Sequence, residues 1–201
     1  MKIAVFVSGR GSNLQAILSF SEEKKNIEVC AVFSDKQNCP AFDIAGRYSI
    51  PTFSLGNKEG CVNYQELSGV LTKFNIEFIV LAGFLKLIPN EVVSDFDKRI
   101  INIHPALLPS FGGKGMYGIN VHKAVYESSA RVSGVTVHFV DSFYDTGKII
   151  AQRCVDISDV RSPEEIAERV LKVEHQILPY VVSKFADGKV KIVDDRVVVL
   201  E

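Results

Sequence analysis

The chain contains no CxxC pair, no apolar run long enough to cross a membrane and no surplus of charge of either sign. Its four cysteines, Cys30, Cys39, Cys61 and Cys154, are spaced too widely for a metal knuckle or a redox motif. Cys30 and Cys154 fall in apolar, strand-like runs, where a reduced thiol is expected to act as a small hydrophobe in a reducing cytosol. The apolar stretch behind Lys2 stops at Ser8, short of a signal sequence or a span, so a cytoplasmic protein with no membrane partner is expected. Lys and Arg total 23 against 24 Asp and Glu. That balance lacks the basic excess nucleic-acid binding requires, which leaves a small-molecule partner; nothing in the composition fixes an oligomeric state. Two catalytic patterns are missing as well. No HxH or HxxxH links His104, His122, His138 and His175 as metal ligands, and no GxSxG elbow presents a serine nucleophile. Repeats, low-complexity runs and linkers are also absent, so residues 1–201 are expected to form one domain. A chain of this length buries on the order of 70% of its unfolded surface.

What is present alternates. The runs "IAVFVS" (3–8), "EVCAVFS" (28–34), "FIVLAG" (78–83) and "RIINIHP" (99–105) are continuously apolar, and helix-like stretches begin at Asn13, at about Ala41 and near 63–74. Unbroken Val, Ile and Phe runs between helices indicate a parallel sheet buried on both faces, with ligands at the carboxyl ends of its strands. Beyond Pro105 the pattern changes. Four glycines in "LLPSFGGKGMYGI" (107–119) predict a mobile loop and a candidate lid. "VSGVTVHFV" (132–140) and "KIIAQRCVDI" (148–157) predict an antiparallel pair joined by "DSFYDTG". A long amphipathic helix then starts with Ser162 as N-cap and Pro163 at its first position and ends near Gly188. The tail predicts a hairpin turning at Asp194 and Asp195, and the two halves, about 1–100 and 101–201, are expected to share one sheet.

Two places could carry chemistry. In "FVSGRGSNLQAIL" (6–18) a strand runs through Gly9 and Gly11 into a helix, and Ser12 and Asn13 add donors beside the first helical amides, an arrangement suited to a phosphate. The same glycines would also serve a purely structural turn. Asp35, about twenty residues beyond them, keeps a nicotinamide nucleotide open as the ligand, although Leu14 stands where that fingerprint has its third glycine. In "NIHP", Asn102 and His104 are two apart at a strand's carboxyl end and project from one face. A core histidine with one satisfied hydrogen bond would fit there too, but the following proline and glycine-rich loop favour a site.

Taken together, "SGRGSNLQAI" (8–17), "VLAGFLKLI" (80–88), "INIHPALLPSF" (101–111), "VHFVDSFYDTGKII" (137–150) and "EHQILP" (174–179) resemble the phosphoribosylglycinamide formyltransferases of purine biosynthesis over nearly the whole chain. The resemblance implies a Rossmann-like α/β formyltransferase fold: a mostly parallel central sheet, antiparallel C-terminal strands and helices on both faces. It further implies formyl transfer from 10-formyltetrahydrofolate, as co-substrate, to the amine of phosphoribosylglycinamide, without metal or NAD. The family's catalytic triad falls on Asn102, His104 and Asp145. Asp145 is expected to raise the His104 pKa and to orient the ring. Gly11, Ser12 and Asn13 match the family's phosphate cradle, and Glu174 matches a substrate contact. Leu85, Lys86, Leu87 and Ile88, with Asn102, match the folate site. By this resemblance the first half holds the phosphate, the second holds catalysis and folate, and valine at Gly11 is expected to block only the phosphate. Lys86 replaces an arginine common in the family, Cys61 replaces another, and 112–118 is longer than in the shortest members. A formylfolate hydrolase would use the same triad with water, but such hydrolases usually carry a second histidine where this chain has Pro105. A methionyl-tRNA formyltransferase would need a nucleic-acid domain and a basic surface.

Overall fold

Strand β1 (Lys2–Val7) is buried from Ile3 to Val7, which is possible only where helices cover both faces of a sheet. The computed structural model describes residues 1–201 and divides them into two compact units, Met1–Asn102 and Ile103–Glu201. In the first unit β1 leads into α1 (Ser12–Glu23), then β2 (Glu28–Ser34), α2 (Ala41–Arg47), β3 (Thr52–Ser54), α3 (Leu67–Lys73), β4 (Phe78–Leu81) and α4 (Asn90–Asp95). β5 (Ile100–His104) follows, with the boundary between the units falling inside it. The pairings β1–β2, β1–β4, β2–β3 and β4–β5 are all parallel. Because β2 and β3 lie on one side of β1 and β4 on the other, the strand order reverses at β1 and β4, where open α/β sheets form their ligand crevice.

The second unit contains α5 (Ile119–Glu127), β6 (Val132–Phe139), β7 (Ile149–Asp156), α6 (Pro163–Ala186) and the hairpin β8 (Val190–Val193) with β9 (Arg196–Val199). β6 and β7 pair antiparallel, and α6 packs on both of them and on α5. The α6 start is as expected: the Ser162 hydroxyl accepts from the Glu165 N–H, with Pro163 behind it. The terminal hairpin turns through Asp194 and Asp195, both left-handed at φ 48° and 64°. The whole is a mixed seven-stranded sheet in the order β3-β2-β1-β4-β5-β6-β7, mostly parallel, with β8–β9 a separate two-stranded sheet.

Several expectations are corrected. α3 starts at Leu67 rather than near 63, because the Asn63 carboxamide accepts from the Gln65 N–H and Glu66 accepts from the Asn63 N–H, holding a turn ahead of the helix. β3, α4 and α5 are elements the pattern does not reveal. Among the cysteines, Cys39 is the buried one; Cys154 is exposed and Cys30 half-buried.

Candidate active site

His104 closes β5, and its two-residue offset from Asn102 puts both side chains on one face of the strand. The imidazole is buried, with Nε2 2.8 Å from the Phe111 carbonyl oxygen and Nδ1 3.6 Å from Asp145 Oδ2. A carbonyl can only accept, so Nε2 carries the hydrogen at that contact. Asp145 comes from the link between β6 and β7. Its Oδ2 accepts from the Gly113 N–H at 2.8 Å and its Oδ1 lies 3.6 Å from His138 Nε2. His138, buried on β6, has its Nδ1 2.7 Å from the Phe139 carbonyl. Asp145 is thus a carboxylate between two imidazoles, each with a main-chain oxygen at its other nitrogen. Sequence reasoning weighed His138 only as a metal ligand; its place in the quoted "VHFV" stretch, two apolar residues upstream of an acidic loop, was the available signal.

Phe111 and Asp145 both hold left-handed backbone, at φ 57° and 59°. Such conformations cost roughly 1–3 kcal/mol each and persist where surrounding contacts over-determine them. Here the contacts are visible. Thr136 Oγ1 donates to the Ala106 carbonyl and accepts from the Leu108 N–H, while Gln152 Nε2 donates to the Leu108 carbonyl. Within the glycine-rich stretch, residues up to Gly113 are therefore tied by hydrogen bonds to side chains outside it.

Asp145 acts on His104 in the expected direction, but the net shift of the ring is downward. Burial pushes the ring below its ordinary pKa and outweighs the attraction of Asp145 and the Phe111 carbonyl; His138 acts in the same direction as burial. Asp145 itself is held low, because the His138 and His104 rings and the Gly113 amide together outweigh its burial. His122, on α5, is pushed down to about 4 by burial and by the nearby His104, and its buried Nδ1 has no hydrogen-bond partner. Between pH 6.5 and about 4 the unfolded chain therefore takes up a proton that the folded chain refuses. Stability is full above 6.5 and is lost as pH falls towards 4, by on the order of 3 kcal/mol. Urea midpoints compared at pH 7 and pH 4.5 check this: His122→Gln flattens the slope, and an unchanged slope would refute the assignment.

In the first unit, Gly11 precedes α1 with φ 80°, and the first turn of α1 has neither a capping side chain nor an acidic residue. Added bulk at Gly9 would meet nothing within 4 Å, but a Cβ at Gly11 would sit 2.6 Å from the Ala41 Cβ. Valine at Gly11 would consequently unsettle the turn and the packing on α2, not block a phosphate selectively as expected. Leu14 is wholly buried core. Asp35 accepts from the Ser8 hydroxyl at 2.5 Å. Leu85 is half-buried, Lys86 and Leu87 are exposed and Ile88 is buried just after β4. Glu174, in the second unit, is a buried residue of α6 and not the exposed carboxylate a helix surface would supply. No group of three or more His, Cys, Asp or Glu residues is placed to hold a metal ion, and no helix is long and apolar enough to cross a membrane.

Residues 1–182 match the formyl transferase family. The chain is 46% identical over 205 residues to a phosphoribosylglycinamide formyltransferase, chloroplastic, of Arabidopsis thaliana, covering 100% of this chain and 70% of that protein. It is 43% identical to the protein of the same name from Vigna unguiculata, covering 94% and 62%. Among solved structures, the phosphoribosylglycinamide formyltransferase of Anaplasma phagocytophilum superposes with a TM-score of 0.90 at 35% identity, over 100% of this chain and 93% of its own.

Proposed function

The chain belongs to the formyl transferase family, among its phosphoribosylglycinamide formyltransferases, and from that premise we propose that it transfers the formyl group of 10-formyltetrahydrofolate to the amine of 5-phosphoribosylglycinamide in de novo purine biosynthesis. The observation that carries this reading is the buried His104, paired with Asp145 at the end of β5 beside Asn102.

The chemistry asks for such a group. The amine attacks the formyl carbon, a C–N bond forms, and the formyl oxygen becomes an oxyanion. Collapse breaks the bond to the folate nitrogen, which takes up the proton the amine gives up. Donors aimed at the developing oxyanion are the largest contribution to a reaction of this kind. His104 Nε2–H and the Asn102 amide are those donors in this reading. Nε2 is engaged by the Phe111 carbonyl in the free protein, so the oxyanion takes that carbonyl's place. Burial keeps the resting ring neutral; as negative charge builds on the substrate, Asp145 at 3.6 Å favours the imidazolium, which can pass a proton to the leaving folate. Gly11, Ser12 and Asn13 hold the ribotide phosphate at the start of α1, and Glu174 contacts the same substrate. Leu85, Lys86, Leu87 and Ile88, with Asn102, receive the folate, Lys86 supplying a point charge where the family often has a planar fork. The reaction needs neither metal nor nicotinamide. Four free thiols suit a reducing compartment, and we assign the protein to the cytoplasm.

A formyl-transfer assay with and without phosphoribosylglycinamide tests the reaction: tetrahydrofolate should form only with the amine present. Release without it would make the protein a hydrolase. Ser12→Asp tests the phosphate cradle. An acidic residue at a helix start stabilises the helix, so the variant should fold, yet its charge opposes the phosphate. Like charges 4 Å apart cost about 1 kcal/mol even in bulk water, and phosphate carries more than one. Ribotide affinity by calorimetry should fall roughly tenfold or more with folate-analogue affinity unchanged; equal loss of both would reject the cradle.

A further inference from the structure

Ser8 is 2% exposed and directly follows β1 at the point where the strand order reverses. Its main-chain N–H donates to the Gly83 carbonyl at 3.0 Å. Its hydroxyl donates to Asp35 Oδ1 at 2.5 Å and accepts from the Leu85 N–H at 3.0 Å. One residue thereby joins the carboxyl ends of β1 and β2 to the start of the segment that leaves β4. The direction of each bond is fixed by chemistry. A carboxylate only accepts, so Asp35 claims the single hydrogen on Ser8 Oγ and turns a lone pair towards Leu85. Gly83, at φ 78°, makes the bend that brings Leu85 back to it. Asp35, which the sequence offered as a ribose ligand, is occupied by this task.

We propose that Ser8, oriented by Asp35, is a positioning residue for the folate co-substrate: it fixes the Leu85 amide and with it the course of the segment 85–88 assigned to the folate. This rests on the assignment of 85–88 to folate made above. A segment that receives a ligand is only as exact as the register of its main chain, and removing the hydroxyl leaves the N–H of the half-buried Leu85 without this acceptor. The segment then relaxes towards another acceptor and its recognition surface shifts, while α1 keeps its own anchor from the Gln15 N–H to the Gly11 carbonyl.

The test measures the dissociation constants of a non-reactive folate analogue and of phosphoribosylglycinamide, separately, for Ser8→Ala, Asp35→Ala, Asp35→Asn and Leu87→Ala, with melting points for each. Ser8→Ala and Asp35→Ala should weaken the folate analogue by about tenfold, the equivalent of one lost net hydrogen bond, with ribotide affinity within about twofold of the parent. Asp35→Asn keeps an acceptor for the Ser8 hydroxyl and should restore folate affinity to near the parent. Leu87, exposed within the segment, reports on the segment's assignment. If Leu87→Ala weakens folate and Ser8→Ala does not, the positioning role is overturned and the assignment stands. If neither weakens folate, the assignment falls and takes the proposal with it. Equal weakening of both ligands by Ser8→Ala would mark a structural residue and also overturn it. Should Ser8→Ala melt far below the parent, Asp35→Ala on its half-buried strand end decides.

Discussion

His104→Ala lowers kcat by about a hundredfold or more, and Asp145→Asn does the same, while KM for the ribotide changes little. The scale is that of losing a preorganised oxyanion donor, and the split follows because the interaction strengthens only as charge develops. Asp145→Asn is the more informative of the two. The carboxylate accepts from Gly113 and faces both His104 and His138; an amide keeps the shape, presents an N–H to one of those contacts and removes the charge that favours the imidazolium. Steady-state kinetics on variants whose melting points match the parent check this. Near-parental kcat in both would remove His104 and Asp145 from the chemistry.

The largest expected effect on folding lies two residues from Asp145. A Cβ at Gly147 would collide with the Phe139 carbonyl oxygen and lie 2.6 Å from its carbon. Both are backbone, in the strand whose Phe139 N–H donates to the Lys148 carbonyl, so neither can move without unpicking the β6–β7 pair. Overpacking typically costs 1–3 kcal/mol and more where nothing yields. Gly147→Ala should therefore lose about 3 kcal/mol or more, a melting point lower by roughly 6–12 °C for a chain of this size. Activity should fall with it, because the turn that holds Asp145 is displaced. By contrast Gly115, left-handed but with open space around it, should tolerate alanine at a cost of about 1 kcal/mol. Calorimetric melts of the two variants settle the matter, and a Gly147→Ala midpoint within about 2 °C of the parent would contradict it.

How much of this was legible depended on whether the cause was local. β1, β2, β4 and β5 announce themselves because strands buried on both faces need unbroken apolar runs. β3 is three residues behind Pro51, too short to show a period, and α5 begins after Gly118 without a capping side chain. Asn102 and His104 are readable as a pair from strand alternation, but Asp145 reaches His104 only through the antiparallel return of β6 into β7, and only the family resemblance pointed to it. His138 stayed hidden because the sequence, lacking an HxH or HxxxH spacing, offers it no partner, and only the fold brings it to Asp145. The direction of the His104 shift was missed for a related reason: sequence displays the neighbouring charge, whereas burial, which prevails here, exists only in the folded chain. Gly11 looked like a residue for a ligand because its neighbour Ala41 lies thirty positions away.

The anchoring of 106–113 is written almost entirely in main-chain atoms of that stretch: the Ala106, Leu108 and Phe111 carbonyls and the Leu108 and Gly113 amides. Their partners are side chains elsewhere, on His104, Thr136, Asp145 and Gln152. Substitution is thus constrained in an uneven way. Ser110 can drift in identity without loosening the grip, and Phe111 can do so among residues that accept its left-handed backbone, since the carbonyl is the same in each, and the burden of invariance shifts to the four partners. Gly112 is the exception, because a Cβ there would press on Leu108 Cδ2 at 2.5 Å and on the Asp145 Cβ at 3.3 Å. A loop of this kind can change its chemical character and still present the same backbone to His104, which lets the surface around a fixed reaction centre diversify.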